Sequence, residues 1–326
     1  MSLDSQILRA LRSTEASVSG ADLSHRLGIS RAAVWARIEE MRRLGYDISA
    51  SPHLGYKLVS VPDVLHPDEL RSRLPESVII GREIHVYQET TSTNDVVEKF
   101  ARDGVREGVV VFAESQTKGR GRLGRKWLSP SGKGLWFSIL LRPQLRPQCA
   151  TQLTIAAGTA IRRAISIHTG IEPEIKWPND ILIKKKKVAG ILTELNAELD
   201  GIRYLILGIG VDVNQSHEDF PPDIRPIATS LSVETKRPIL RAELACQLLT
   251  ELNVEYQKIA SKQFHTVAQE WQENCSTLSQ QVSIRMGERC VKGVAEALDE
   301  DGALLLRTEH GHLERIIGGD VTMEKR

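Results

Sequence analysis

Gly119-Arg120-Gly121-Arg122-Leu123-Gly124-Arg125-Lys126-Trp127 is the stretch on which the fold turns. Glycines let a backbone bend sharply and approach a ligand closely, and arginines and lysines neutralise anionic oxygens. Gly119-x-Gly121-x-x-Gly124 matches the dinucleotide fingerprint, and Gly108–Ala113 upstream reads as a buried strand. That fingerprint must open a helix whose N-terminus holds pyrophosphate. Here Pro130 and Gly132 break any helix downstream, so the dinucleotide fold fails on context. A Walker A loop is excluded too, because no Gly-Lys-Ser/Thr follows. Two readings remain: a mobile loop that folds over a negatively charged small molecule, or a disordered Arg/Gly loop touching nucleic acid without sequence preference.

Around this stretch, 326 residues suggest two or three domains, and 41% hydrophobic content is enough for a substantial core. A net charge of +1 means any nucleic-acid surface must be local. The polar start carries no secretory signal, and no apolar run reaches the length of a membrane span. Cys149, Cys246, Cys275 and Cys290 show no C-x-x-C spacing and read as reduced thiols of a cytoplasmic protein. No metal site is expected; His310-Gly-His312 reads as a turn.

The first sixty residues read as three short helices and a hairpin. Ile7, Leu8 and Leu11 have helical spacing; Ala21–Leu27 follows, with Gly28 as its left-handed cap. Ser30 caps a third helix whose Val34, Ile38, Met41 and Leu44 form one apolar stripe. The tip Ser51–Gly55 joins two short strands as a wing. This winged helix-turn-helix reads as DNA-binding, with Ser30, Arg31, Ala32 and Trp35 facing bases and Arg37, Arg42 and Arg43 facing phosphates. A small helical domain that binds protein is the alternative, and Glu39 and Glu40 count in its favour. Pro62 and Pro67 mark a linker of about ten residues.

From residue 78 strands and helices alternate irregularly, which argues for a mixed sheet rather than strict βαβ repeats. Strands are expected at Val78–Ile80, Ile84–Tyr87, Val109–Glu114, Leu135–Leu141, Pro173–Lys176, Val188–Glu194 and Tyr204–Val213, and helices at Asp95–Asp103, Thr151–His168 and Arg241–Ser261. Thr91-Ser92-Thr93-Asn94, between a strand and a helix, either caps that helix or binds a small polar ligand. Lys176-Trp177-Pro178-Asn179-Asp180 presents an amide beside a carboxylate, though Asn/Asp turns are common. In Lys184–Lys187 most of the run is a solvated tip, and Lys187 is best placed to enter the following strand. Gly208, Gly210 and Asn214 mark a strand end where a ligand can approach backbone.

Gly-Arg-Gly-Arg-x-Gly-Arg-x-Trp, then Lys-Trp-Pro-Asn-Asp, then Lys-Val-Ala-Gly-Ile-Leu-Thr-Glu resembles the biotin–protein ligases. With the winged helix in front, the resemblance is to the bifunctional kind that also represses the biotin operon, and it covers nearly the whole chain. It implies that biotin and ATP, with Mg²⁺, yield biotinyl-5′-AMP, and that biotin passes to a lysine of a biotin carboxyl carrier domain. It implies operator DNA and a ligand-promoted homodimer as partners, and no membrane. It places Ser92, Thr93, Asn94, Gln116, Arg120, Gly121, Arg122 and Lys187 on biotin. Arg120, Arg122, Trp127, Asn179, Lys187 and Asn214 fall on ATP or the adenylate, with Ile227–Ser230 flanking the adenine and the loop. Lys187, Arg122 and Asp180 are the expected catalytic groups. Leu123 departs from relatives that carry another arginine there. A ligase that binds no operator, and a lipoate ligase with a similar core, are the alternatives.

After Cys275 the strands shorten: Val282–Ile284, Val291–Ala297, Ala303–Leu306 and Leu313–Ile317 alternate around turns, reading as a small β-barrel, SH3-like by the resemblance. Its role is either structural or in docking ATP or the carrier. The expected fold is therefore α+β: a winged helix-turn-helix over 1–62, a mixed-sheet catalytic domain related to class II synthetases over 63–275, and the barrel over 276–326.

Overall fold

The computed structural model describes residues 1–198 and 201–323; residues 324–326, at the end of the expected barrel, lie outside them. The N-terminal unit contains α1 (Leu3–Arg12), α2 (Gly20–Leu27), α3 (Arg31–Arg43), β1 (Asp47–Ser51) and β2 (Gly55–Ser60). Each helix begins at a serine whose hydroxyl accepts a first-turn N–H: Ser2 from Ser5, Ser19 from Asp22, Ser30 from Ala33. Gly28, at φ 65°, ends α2 in the left-handed region. Ile7, Leu8, Leu11, Leu23, Val34, Ile38 and Met41 close one small core, with the antiparallel wing beside it.

The expected linker is not all linker. Pro67 is the first residue of a helix, α4 (Pro67–Arg73). Proline lacks only an N–H that has no partner there, and Asp68 and Glu69 favour the helix's positive end. Val78–Ile80 is not a strand either. The Ile79 and Ile80 N–H groups donate to Asn253 Oδ1 at 3.0 and 2.9 Å, and Asn253 Nδ2 donates to the Ile80 carbonyl. One side-chain amide takes the place of a neighbouring strand.

The central sheet holds β3 (Glu83–Thr90), β4 (Val109–Gln116), β5 (Gly134–Leu141), β6 (Glu174–Lys176), β7 (Asp180–Ile183), β8 (Lys186–Glu198) and β9 (Gly201–Asp212), in the order β3-β4-β5-β9-β8-β7-β6. Only β3 and β4 run parallel, so the sheet is mixed. The remaining helices are α5 (Thr93–Arg102), α6 (Thr151–Thr169), α7 (Leu231–Thr235), α8 (Arg241–Ala260) and α9 (Phe264–Glu273).

Alternation along the strands divides the faces. Leu135, Phe137 and Ile139 of β5 and Leu205, Leu207, Ile209 and Val211 of β9 enter the main core with α6, α8 and α9. On the opposite face, Leu140 and Ile206 pack under Val97 and Ala101 of α5. Further along that face come three cross-strand pairs, Ser138↔Gly208, Trp136↔Gly210 and Gly134↔Asp212. Small and polar residues succeed the apolar ones beyond the end of α5, and the hollow they leave is occupied by the Asn94 and Trp127 side chains.

The C-terminal unit is a five-stranded antiparallel sheet: β10 (Gln281–Met286), β11 (Arg289–Leu298), β12 (Leu304–Thr308), β13 (Leu313–Ile316) and β14 (Asp320–Met323), ordered β13-β12-β11-β10-β14. Val282, Ile284, Ala295 and Leu306 belong to the same apolar cluster as the central core, so this unit is fused to the catalytic domain. His310–His312 falls in the β12–β13 turn.

Candidate active site and nucleic-acid interface

The polar end of the hollow is built where β3 meets α5. Ser92 stands at the helix N-cap position, but its hydroxyl makes no capping bond, which sets aside the capping role. Thr93 Oγ1 lies 2.6 Å from Ser138 Oγ, which donates to Asn94 Oδ1 at 2.5 Å. Asn94 Nδ2 donates to Glu194 at 2.8 Å. Gly208 makes the room: a Cβ there would collide with the Asn94 amide. Gln116 Oε1 accepts from the Thr93 N–H at 2.9 Å, and its Nε2 donates to Ser129 Oγ at 2.8 Å. Arg120 bridges Asp95 at 2.7 Å and Glu194 at 3.4 Å; burial works against its charge, yet these carboxylates hold it above the usual arginine range. The Thr93 hydroxyl, the Asn94 amide and Gln116 thus form one network of donors and acceptors, and residues 92–94 are almost wholly buried.

The cationic end lies across β8 and β9. Lys187 Nζ sits 2.5 Å from Asp180 Oδ1, an ion pair without hydrogen-bond alignment, and 5.1 Å from the centre of the Trp127 ring. The Trp127 indole lies over Gly210 and Gly190, where any larger residue would displace it, and meets Trp136 edge-on at 6.3 Å. The indole N–H groups of Trp127 and Trp136 are buried without partners among the described residues. Arg122 Nη1 donates to Asn179 Oδ1 at 3.0 Å, and Asn179 is itself fixed by Ile191 on both amide groups. Burial lowers the Arg122 pKa, against Asp320 and Asp180, which favour its cation. Ile227 accepts from the Lys187 N–H at 2.8 Å, and Thr229 donates back to its carbonyl at 2.9 Å.

The 119–127 stretch is a closed hairpin rather than an open loop. The Gly121 N–H donates to Arg125 O at 2.7 Å and the Trp127 N–H to Gly119 O at 2.9 Å. Gly124 turns it at φ 73°, and Leu123, 71% exposed, sits at its tip.

Asn214 stands apart from the other expected site residues. Both ends of its amide bind the Ile239 backbone, at 3.0 and 2.9 Å, so the side chain anchors the approach to α8. The residue on the site face is Asp212, which the sequence reading missed. Its carboxyl is buried, accepts from Gln215 Nε2 at 2.5 Å, and has its pKa pushed well up by burial, against the Lys187 charge and the Gln215 amide. Ser138, Asp95 and Glu194 were missed as well. A lone serine inside Leu-Trp-Phe-Ser-Ile-Leu-Leu and an aspartate inside Gly-Val-Asp-Val were the available signals.

In the N-terminal unit Arg31, Ala32 and Trp35 are exposed at the start of α3, with Ser30 as its cap. A groove of about 720 Å³ runs between them and the wing, lined by Arg31, Ala32, Pro52, His53 and Tyr56. Arg37 is half-buried beside Asp4 and Glu40. Arg42 is not a free phosphate ligand: its guanidinium binds the Ile48 carbonyl and Glu39, fixing the wing to α3.

A helix-turn-helix unit and a mixed-sheet hollow lined by amides, hydroxyls and cations define a DNA-binding module joined to an anion-activating enzyme. Residues 86–214 match the biotin/lipoate A/B protein ligase family, residues 4–57 a helix-turn-helix domain, and residues 277–323 the biotin protein ligase C-terminal domain. The chain is 38% identical over 307 residues to the bifunctional ligase/repressor BirA of Bacillus spizizenii, covering 94% of each. It is 26% identical to that of Escherichia coli, over 94% of this chain and 92% of the relative. Biotin protein ligase from Aquifex aeolicus in complex with biotin and ATP superposes with a TM-score of 0.65 at 32% identity, over 75% of this chain and all of that one. The chain belongs to the biotin protein ligase family, in its bifunctional ligase/repressor branch.

Proposed function

We propose that this protein activates biotin with ATP, passes it to a carrier lysine, and represses transcription through its winged helix. One observation carries the reading: an amide–hydroxyl cluster (Ser92, Thr93, Asn94, Gln116), buried at 92–94, and a cationic cluster (Lys187, Arg122) lie at two ends of the sheet face that Trp127 covers. A ureido ring has two N–H donors and a carbonyl acceptor that such a cluster satisfies. The dithiolane of lipoate has neither, which favours biotin over lipoate.

In the first step a biotin carboxylate oxygen attacks the α-phosphorus of MgATP, forming the biotinyl-AMP anhydride and releasing pyrophosphate. Two anions must meet, so the chain's contribution is charge neutralisation and positioning. Lys187 takes the carboxylate and an α-phosphate oxygen, leaving its pairing with Asp180. Arg122 and Arg120 fold over ligand and phosphate, with Gly121 giving close backbone approach; Trp127 and Asn179 line the nucleotide side. In the second step the carrier amine attacks the acyl carbon and AMP leaves. Asp180, released from Lys187, orients that amine and accepts its proton. Mg²⁺ arrives on the triphosphate as part of the substrate. Free thiols at all four cysteines fit a cytoplasmic site of action.

Incubation with biotin or lipoate and radiolabelled ATP tests the reading: biotinyl-AMP is expected with biotin, and lipoyl-AMP alone would overturn it. Repression follows if the adenylate, seated under the 119–127 hairpin, favours pairing of two copies, so that two winged helices span a two-fold site. Sedimentation at micromolar protein should show the mass double on adding biotin and ATP; an unchanged mass refutes the pairing.

A further inference from the structure

The amide–hydroxyl end of the site is a hydrogen-bonded chain, and an acid at its end sets the chain's direction. Along β8, alternation sends Thr193 toward α6, where its hydroxyl meets that of Thr154 at 2.8 Å, and turns Glu194 to the opposite face. There Glu194 accepts from Asn94 Nδ2 at 2.8 Å. A carboxylate only accepts, whereas an amide has a donor end and an acceptor end. Asn94 is 3% exposed and wedged against Gly208, where a Cβ would stand 2.4 Å from Oδ1. The amide has no room to withdraw. The freedom left to it is a half-turn that exchanges Oδ1 and Nδ2, and Glu194 forbids it, because two acceptors would then meet face to face.

The fixed amide passes its direction along the chain. Oδ1 faces Ser138 Oγ at 2.5 Å, so the serine donates. The Thr93 hydroxyl lies 2.6 Å from that same serine, whose proton is already committed, so Thr93 donates to it. Gln116 Oε1, 3.3 Å from the Thr93 hydroxyl, is itself an acceptor and takes the Thr93 N–H at 2.9 Å. Among the described residues no group donates to Thr93 Oγ1, so its lone pairs can accept from a ligand N–H. A ureido ring supplies that donor.

We propose that Glu194 is a positioning residue for biotin: it locks the Asn94 amide and, through Ser138 and Thr93, gives the ureido end of the site its acceptor character. The proposal rests on the ligase reading above and adds a specificity-determining acid that acts through other side chains.

Glu194→Gln keeps the shape and gains a donor, which allows the Asn94 amide to turn. It should raise the KM for biotin in biotinyl-AMP formation about tenfold, because a site built to pair polar groups loses affinity steeply when donors and acceptors are mismatched. The kcat and the KM for ATP should stay in place. Arg120 also reaches Glu194, at 3.4 Å, but keeps its closer anchor on Asp95 at 2.7 Å. The Glu194 side chain is 38% exposed, so the melting temperature should not move. In an Asn94→Ala background the same exchange should change nothing further. A biotin methylated on its ureido nitrogens lacks the N–H donors. Wild type should discriminate against it more strongly than Glu194→Gln does, whereas a merely structural residue would weaken both ligands alike. An unchanged KM in Glu194→Gln, or the full rise persisting without Asn94, would overturn the proposal while wild-type adenylation leaves the ligase reading standing. A wild type that makes no biotinyl-AMP sinks both.

Discussion

At the scale of single residues, Lys187 concentrates the chemistry. It is the one member of Lys184–Lys187 whose ammonium is drawn over Trp127 and onto Asp180, whereas Lys184 reaches outward to Glu234. Lys187→Ala should slow biotinyl-AMP formation roughly 100-fold or more, because a pre-placed cation at a reacting anion is lost from a partly desolvated site. Its side chain is 32% exposed, so the melting temperature should barely move. Single-turnover formation of labelled biotinyl-AMP measures this directly, and a wild-type rate would mean another group meets the phosphate. Lys187 stood out because, of the two lysines that enter β8, alternation turns only one toward the Asp180 side. Asp212 did not, because its role follows from register: only the pairing Gly134↔Asp212, beyond Trp136↔Gly210, reveals which face it takes. Asn214 is ambiguous in the same way: it lines a cleft beside Lys133 and Ser232 and also ties down the Ile239 backbone, and sequence alone cannot tell the two roles apart.

At the scale of elements, most regular ones were read, but the helix α9 and the strand β7 were missed along with the irregular ones. Helical spacing, the Gly28 terminator and the Ser30 cap announced α1–α3, and apolar runs announced β4, β5 and β9. α4 was hidden by its proline, and the false strand at Val78–Ile80 arose because a β-branched run looks extended whether its partner is a strand or the single amide of Asn253. β14 is four residues long after two glycines, too short to carry a pattern. α3 makes the sharpest claim at this scale. Its buried side is closed by Val34, Ile38 and Met41, while Arg31 and Trp35 (57% exposed) look outward beside the wing. Arg31→Ala and Trp35→Ala should each cost about 1–3 kcal/mol of operator binding and leave biotin transfer intact. Titrating operator and random DNA across a salt series checks this. Equal affinity of wild type for both sequences would remove the repressor role.

At the scale of the whole molecule, the winged helix is clamped to the enzyme. Glu69 of α4, 1% exposed, binds Arg12 of α1 at 2.5 Å and Arg73 at 2.7 Å, and Arg73 continues to Glu243 of α8 at 3.2 Å. Ser2 and Ser5 both donate to Asp68, and Arg9 donates to the Ser72 carbonyl at 3.2 Å. The proposed reading of two half-sites by two copies demands a fixed spacing between winged helices, and this clamp would supply the fixed angle within each copy. Burial alone would raise the Glu69 pKa, but the hydrogen bonds and charges of Arg12 and Arg73 outweigh it and hold the carboxyl below its ordinary value. A depressed carboxyl stabilises the clamp above the ordinary carboxylate range and loses that stabilisation as pH falls through the folded value. The wild type should therefore melt in one transition near neutrality and release its N-terminal unit first in acid. Glu69→Ala, which leaves two arginines facing a dry gap, should cost roughly 3 kcal/mol. It should split the melt at pH 7 into two transitions and weaken operator binding, while biotin transfer persists. Calorimetry from pH 7 down to about pH 4 follows both proteins; a Glu69→Ala melt that keeps one transition at the wild-type temperature would show that α4 links the two units without holding them.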